Sequence, residues 1–466
     1  MKIKLIIPEN QKHLFIIFIL AWACINLLQA VFTDTISDET YYALYGENLN
    51  WGYYDHPPMV GLMTYISNIL FDGNLSIRFI TVVLQIFALA LIWKTIDTVQ
   101  VSASLFFIIS ASLIMFQAYG FITTPDAPLL FFMALFLFVY KKFIGDKNLY
   151  NTVLLAVSMA GMIYSKYHGI LIAGFIFLSN PRLFLSYKTY IAGLVTVLLL
   201  FPHIYWQFAN NFPGFKYHLN DRSDTFEWIY FLEYIPNQLA VFNPLTFGAA
   251  AYVIAKRKPA DVFERGLYFI IVGVISFFWV SAFRGHVEPH WTVACSVPII
   301  ILLYKRSFED KKLMKYIKKA VAYSVILIFI VRIALVSGLV PDFDGKKATE
   351  FRAIQSVAGN LPTVFTSSFQ NPSNYHFFTG KESVTLSSVT GRQTQFDVMR
   401  KELEYQGKPA FIVTKNDFTN LFDFACEKQG TRNKEQGTRN KEQGTRNKEQ
   451  GTRNKEQGTR NKEQGT

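Results

Sequence analysis

The sequence is poor in charge and in cysteine. Only 17% of its 466 residues are charged, whereas 51% are hydrophobic and 16% aromatic, and the mean hydropathy is +0.21. This balance excludes an ordinary soluble domain and implies a polytopic membrane protein. Cysteine occurs three times, with Cys24 and Cys295 inside apolar runs and Cys426 just before the C-terminal tail, which supports neither a disulfide framework nor a thiolate metal site. Outside the tail no stretch interleaves bases with exposed aromatics, so no nucleic-acid partner is expected. The formal charge of +12, of which Glu427–Thr466 supply +5, reads instead as a surplus of basic loops. A repeat relating two halves of the chain is also missing, which disfavours a transporter built from inverted repeats.

What is abundant is apolar sequence. About eleven runs approach the roughly twenty residues needed to cross a bilayer, near 13–31, 76–93, 102–119, 126–140, 150–164, 168–180, 189–207, 236–255, 267–282, 291–304 and 319–340. With the N-terminus inside, each inward loop is basic, from Lys2, Lys4 and Lys12 through Lys141, Lys142 and Lys147 to Lys311, Lys312, Lys315, Lys318 and Lys319. Fusing 150–180 into one helix would reverse that bias for every later loop, so a turn is expected at Lys166 to Gly169. Gln29-Ala30-Val31-Phe32 offers no small-x-small cleavage pattern, and the first run reads as a retained helix.

Three parts follow: a transmembrane domain over 1–340 with a first outer loop at 32–75, a small extracytoplasmic α/β domain over 341–426, and a low-complexity tail over 427–466. In the second part, 361–367, 383–389 and 409–415 read as strands, and 346–359 and 394–405 as helices. The tail repeats Gln-Gly-Thr-Arg-Asn-Lys-Glu without an apolar residue, so disorder is expected rather than a coiled coil.

This topology collects the ionisable residues on the outer side. Ser37-Asp38-Glu39-Thr40-Tyr41-Tyr42 and Gly52-Tyr53-Tyr54-Asp55-His56-Pro57-Pro58 stand in the first outer loop. Adjacent carboxylates after a span can supply a general base and a partner that orients it or holds a metal; equally, they can be N-capping acids of a juxtamembrane helix. Asp126, Lys166, His168, His203, His218, Arg222, Arg284, His286 and His290 share the same side.

The first-loop passage resembles that of the GT-C glycosyltransferases that use polyprenyl-phosphate sugars, of the bacterial family 39 and family 83 type, related to protein O-mannosyltransferases and the lipid A aminoarabinose transferase. Thr123-Thr124-Pro125-Asp126-Ala127-Pro128-Leu129 is similar to the family's second acidic motif, and Ser165-Lys166-Tyr167-His168-Gly169 to its Ser-Lys-Tyr/Gly turn. Trp206-Gln207 through Phe215-Lys216-Tyr217-His218-Leu219 to Arg222 is similar to the large outer loop, and Gly285-His286-Val287-Glu288-Pro289-His290-Trp291 to a late outer motif. The resemblance covers about 13–340. Where the aminoarabinose transferase has Glu-Lys-Pro, this chain has Asp55-His56-Pro57, and a histidine is only partly charged near neutral pH.

The resemblance implies a mainly α, GT-C-type helical bundle in the bacterial inner membrane, multi-pass, with the active site facing outward. It implies an inverting glycosyltransferase that moves a sugar from a polyprenyl-phosphate donor to a hydroxyl acceptor on lipid, glycan or protein. Asp38 becomes the base and Glu39 its neighbour, with Asp55, His56, Asp126, Lys166, His168, Arg222, Arg284 and His286 as candidates for donor phosphate and substrate. No cofactor is identified by the sequence, and a divalent cation is the candidate, with Glu39, Asp55 and His56 of the types that ligate one. A transporter or flippase of lipid-linked sugars, and a noncatalytic sugar-binding membrane protein, are the competing readings.

Overall fold

The structure is a computed structural model and describes residues 8–96, 98–218, 226–340, 343, 345–366, 369–386, 393–399 and 407–414. Arg222, Cys426 and the repeat tail lie outside them.

The apolar runs form helices. They are α1 (Glu9–Phe32), α4 (Leu75–Thr95), the broken pair α5 (Ala103–Ser112) and α6 (Ile114–Ala118), α7 (Asp126–Gly145), α8 (Leu149–Ser165), α9 (Gly169–Ser179), α10 (Tyr187–Ala209), α12 (Trp228–Phe242) with α13 (Pro244–Lys256), α14 (Val262–Ser281), α15 (Ser296–Glu309) and α17 (Ala322–Val336). Between them stand α2 (Ser37–Glu47) and α3 (Met59–Leu70) in the first loop, and the short α11 (Pro213–Lys216) and α16 (Lys311–Tyr316). Among the described residues seven helices are long and apolar enough to cross a membrane, or eight if the bent α12–α13 pair counts as one span, while α5, α8 and α9 are shorter apolar helices. Each of the eleven runs thus maps onto described helix.

Two runs expected to be continuous are interrupted, each for a local reason. In the 102–119 run the Ser110 and Ser112 hydroxyls donate back to the carbonyls of Phe106 and Ile109, and Leu113 is extended. The Gln117 side chain donates to the Ala111 carbonyl that the break frees. In the 236–255 run the axis bends by 105° at Asn243-Pro244. Asn243 has φ +69°, its side chain caps Leu245 N at 3.0 Å, and Pro244 opens α13. The expected turn after α8 is present: a Cβ on Gly169 would lie 2.7 Å from the Met162 carbonyl carbon, so only glycine lets the chain reverse there.

Buried share orders the spans. The segment Pro289–Glu309, a 3₁₀ turn followed by α15, has 83% of its apolar window buried and runs through the middle of the bundle, whereas α1 has 22% and the Lys311–Val336 segment 11%. Exposed Leu20, Leu198 and Ile333 are the apolar outer surface expected of a chain whose solvent is lipid. Asn148 and Asp261 cap α8 and α14 through Asn151 N and Glu264 N.

Beyond α18 (Lys347–Ala358) come β1 (Thr363–Phe365), α19 (Gln370–Thr379), β2 (Ser383–Thr385), α20 (Gln395–Met399) and β3 (Phe411–Val413). The strands form one parallel sheet in the order β2-β1-β3, with Val364 opposite Val384 and Ile412. All three lie within the segments read as strands from sequence. Two compact units result: the membrane part to Gly359 together with Ser373–Glu382, and a second unit of Asn360–Pro372 and the chain from Ser383.

Candidate active site

The first loop is where the site begins. Residues three to four apart share a helix face, so α2 presents Asp38, Tyr42 and Tyr45 along one stripe and Glu39 on another. Glu39 is fully buried and has a closed set of partners. Arg78 of α4 donates from Nε to Oε1 at 2.7 Å and from Nη2 to Oε2 at 2.5 Å, the Thr123 N–H donates to Oε1 at 2.9 Å, and the Ile36 N–H to Oε2 at 3.1 Å. Arg78, itself fully buried, sends its other N–H groups to the carbonyls of Ala30, Thr33 and Asp34 at 3.2, 2.6 and 2.9 Å. All five guanidinium donors are used. The pair staples the start of α2 to α1, α4 and the Thr123 turn.

The other stripe faces the Tyr53–Pro58 turn. Tyr53 N–H donates to the His56 carbonyl at 3.0 Å and closes that turn. The Tyr45 hydroxyl bonds Asp55 Oδ1, the Tyr42 hydroxyl lies 3.2 Å from His56 Nε2, and Tyr45 stacks on Tyr53 at 3.9 Å between centroids. Burial, and then the charge of Asp38, Asp55 and Asp126, holds the Tyr42 phenol well above its ordinary pKa. Burial and Asp55 do the same to Tyr45, and burial pushes Tyr53 up to about 12. These phenols therefore stay protonated among three carboxylates that come from three separate stretches of sequence. Asp38 is half-buried beside them.

A second pair completes the floor. Asp126 opens α7, where the helix N-terminus favours an anion, and Lys166 Nζ lies 2.8 Å from both its carboxylate oxygens. Both side chains are buried, and His290 Nε2 stands 3.7 Å from Asp126 Oδ2. His168, in the next turn, has a buried Nδ1 with no hydrogen-bond partner among the described residues. Burial first, then Lys166, His218, His290 and His56, hold its pKa well below the ordinary histidine value, so the ring is neutral at pH 7. From His168 a cleft of about 390 Å³ runs between α9 and α14, lined by Tyr167, His218, Phe278, Arg284, His286 and Trp291. A larger cavity of about 760 Å³, lined by Lys94, Lys141 and Lys142, lies at the opposite ends of α4 and α7, away from the carboxylates.

Of the residues singled out by sequence, Asp38, Asp55, His56, Asp126, Lys166 and His168 gather around Tyr42 and the cleft head, and Arg284 and His286 stand on the cleft wall. Arg222 lies in 219–225, outside the described residues. Glu39 is turned away toward Arg78. The set Glu39, Asp55 and His56 does not assemble as metal ligands: Glu39 has its oxygens filled, and among the described residues no three histidine, cysteine or acidic side chains converge on one point. Sequence reading passed over Arg78, although a lone arginine in the first turn of an apolar helix is a signal in itself. It also passed over the Tyr42 and Tyr45 hydroxyls, which look like ordinary interfacial aromatics until the turn at 53–58 folds against them.

Carboxylates, a basic partner and an apolar cleft thus stand together at one end of a helical membrane bundle. Residues 55–206 match the family model of dolichyl-phosphate-mannose-protein mannosyltransferase. The structure is similar to the crystal structure of ArnT from Cupriavidus metallidurans in the apo state, at 12% identity and TM-score 0.62 over 86% of this chain and 90% of that one. It is likewise similar to ArnT from the same organism bound to undecaprenyl phosphate, at 12% identity and TM-score 0.65 over 87% and 90%. No curated protein matches the chain by sequence.

Proposed function

We propose that the chain transfers a sugar from a polyprenyl phosphate to a hydroxyl acceptor at the outer face of the bacterial inner membrane, with inversion at the anomeric carbon. The observation that carries this reading is Asp38, a half-buried carboxylate in the first turn of α2, set beside Tyr42 and its neighbours His56, Asp55 and Asp126, none of which is local to it in sequence apart from Tyr42. In the proposed step Asp38 takes the acceptor's hydroxyl proton, the acceptor oxygen forms a bond to the anomeric carbon, and the phosphate oxygen leaves with the bonding pair. A base of this kind contributes about 10²–10⁴-fold. The leaving phosphate would meet Lys166, His56 and Arg284, whose charge counts for more in a partly dry cleft than in water. Phe277, Phe278 and Trp291 give the 390 Å³ cleft apolar walls suited to the first isoprene units. Glu39 then serves by holding α2, and needs no contact with substrate.

The test is reconstitution with labelled polyprenyl-phosphate sugars and a membrane and periplasmic extract, comparing wild type with Asp38→Asn for label transfer and release of polyprenyl phosphate. Loss of transfer by two orders of magnitude or more in a variant that melts like wild type is expected. Full transfer by Asp38→Asn would remove the base, and movement of lipid-linked sugar across liposomes without transfer would turn the reading to transport.

A further inference from the structure

Three arginines are buried among the described residues, and two are matched by acids. Arg78 has Glu39, and Arg306 has Glu264 and Glu309 at 2.6 and 2.5 Å. Arg332 has none. It lies in α17, four residues before its end at Val336, and is 6% exposed. Its Nε donates to Gln29 Oε1 at 3.1 Å, Nη1 to Gln117 Oε1 at 2.7 Å and Nη2 to Asn26 Oδ1 at 2.7 Å. The amides are held with their oxygens toward it, since Asn26 Nδ2 donates to Gln85 Oε1 at 2.8 Å and Gln29 Nε2 to Thr33 Oγ1 at 2.8 Å. Neutral acceptors thus use three of five N–H donors, and two are left without an acceptor among the described residues.

The same guanidinium lines an apolar groove of about 410 Å³, walled by Phe18, Trp22, Phe107, Ala111 and Phe329, with Gln117 beside it. The groove runs between α1, α5 and α17, and α1 and α17 are the least buried of the long spans, so it opens toward lipid. An unbalanced cation at membrane depth is costly. A phosphate would accept both spare donors and balance the charge, in the geometry arginine favours.

We propose that this groove is a site for an anionic phospholipid of the surrounding bilayer, one chain lying along Phe18, Phe107 and Phe329 and the phosphate on Arg332. Arg332 bonds Gln29, three residues from the end of α1, so the headgroup belongs to the leaflet on the side of the Asp38 cluster. A free phosphate would leave the apolar walls unfilled. The polyprenyl donor is assigned to the cleft between α9 and α14, on different helices. Bound lipid would tie the sparsely packed α17 to α1 and α5.

The experiment is native mass spectrometry of the full chain purified in mild detergent from phosphatidylglycerol-containing membranes, for wild type, Arg332→Gln and Ala21→Trp. Ala21 is exposed on the groove, so a tryptophan there fills it and leaves Arg332 in place. Wild type is expected to retain phosphatidylglycerol stoichiometrically and both variants to lose it. In nanodiscs, adding phosphatidylglycerol to phosphatidylcholine should raise the melting temperature of wild type alone. Equal retention by all three proteins, equal retention of phosphatidylcholine, or polyprenyl phosphate as the retained lipid would each overturn the proposal. Should Arg332→Gln fail to fold, Ala21→Trp decides the matter by itself.

Discussion

Replacing Arg78 by methionine separates a structural Glu39 from a chemical one. The substitution leaves a fully buried carboxylate that has lost both of its guanidinium bonds and keeps only the backbone donors of Thr123 and Ile36. It also removes the guanidinium donor from the carbonyls of Ala30 and Asp34, whereas the Thr33 carbonyl keeps Asn74 Nδ2 at 3.1 Å. Breaking a buried pair from one side costs about 3–5 kcal/mol, chiefly because the surviving charge is stranded in a low dielectric. The double change Arg78→Met with Glu39→Met removes both charges and should recover a good part of that loss, the remainder being the Ala30 and Asp34 carbonyls that lose their donor. Thermal unfolding in nanodiscs for the two single variants and the double would complete the cycle, with transfer measured on the same preparations below their melting points. The expectation is single variants much less stable than the double, and transfer that follows the folded fraction. A Glu39→Met protein as stable as wild type but without transfer would refute the argument and return Glu39 to the chemistry.

Two further outcomes follow from the site. Asn374 brackets Asp38 from both sides, donating to Ser37 Oγ at 3.0 Å and accepting from Thr40 Oγ1 at 2.8 Å; Asn374→Ala should lower kcat by about tenfold, the equivalent of one to two hydrogen bonds, with KM for the donor little changed, and an unaltered kcat would sever the link to Asp38. His168 is held neutral in the folded chain but titrates near 6.5 when unfolded. Above that pH both states are neutral and nothing changes; below it the unfolded state alone gains a proton, so stability falls as pH drops. His168→Asn should flatten this part of the profile between about pH 7 and 5, and a slope identical to wild type in unfolding scans would show that the ring is charged in the fold.

Much of the architecture was legible because its causes are local. Long apolar runs in a lipid solvent have few choices besides helix, since every backbone N–H and C=O must be satisfied within the segment. The Lys166–Gly169 reversal could be expected from loop charge, and the three short strands from their β-branched content. The breaks at Leu113 and Asn243 were less visible, because they depend on serine hydroxyls bonding back to carbonyls and on a positive φ that asparagine tolerates without requiring. The α2 helix was open only as one alternative, a juxtamembrane helix capped by acids, because its mixed polarity carries no periodicity, and the apolar α3 was passed over because it is too short to span a bilayer.

The sequence by itself determined which chemistry was available: carboxylates, histidines and a lysine concentrated at span ends, with motifs similar to the GT-C enzymes. Only the tertiary structure decided how they divide. Asp38 and Glu39 are neighbours in the chain, yet the step of about 100° between successive helix residues sends them to different faces, so Arg78 captures the second and leaves the first beside Tyr42, His56 and the Asp126–Lys166 pair. That partition depends on an arginine thirty-nine residues away and on a lysine forty residues beyond its aspartate. Distances of that kind are set by how helices pack, and no spacing along the chain encodes them.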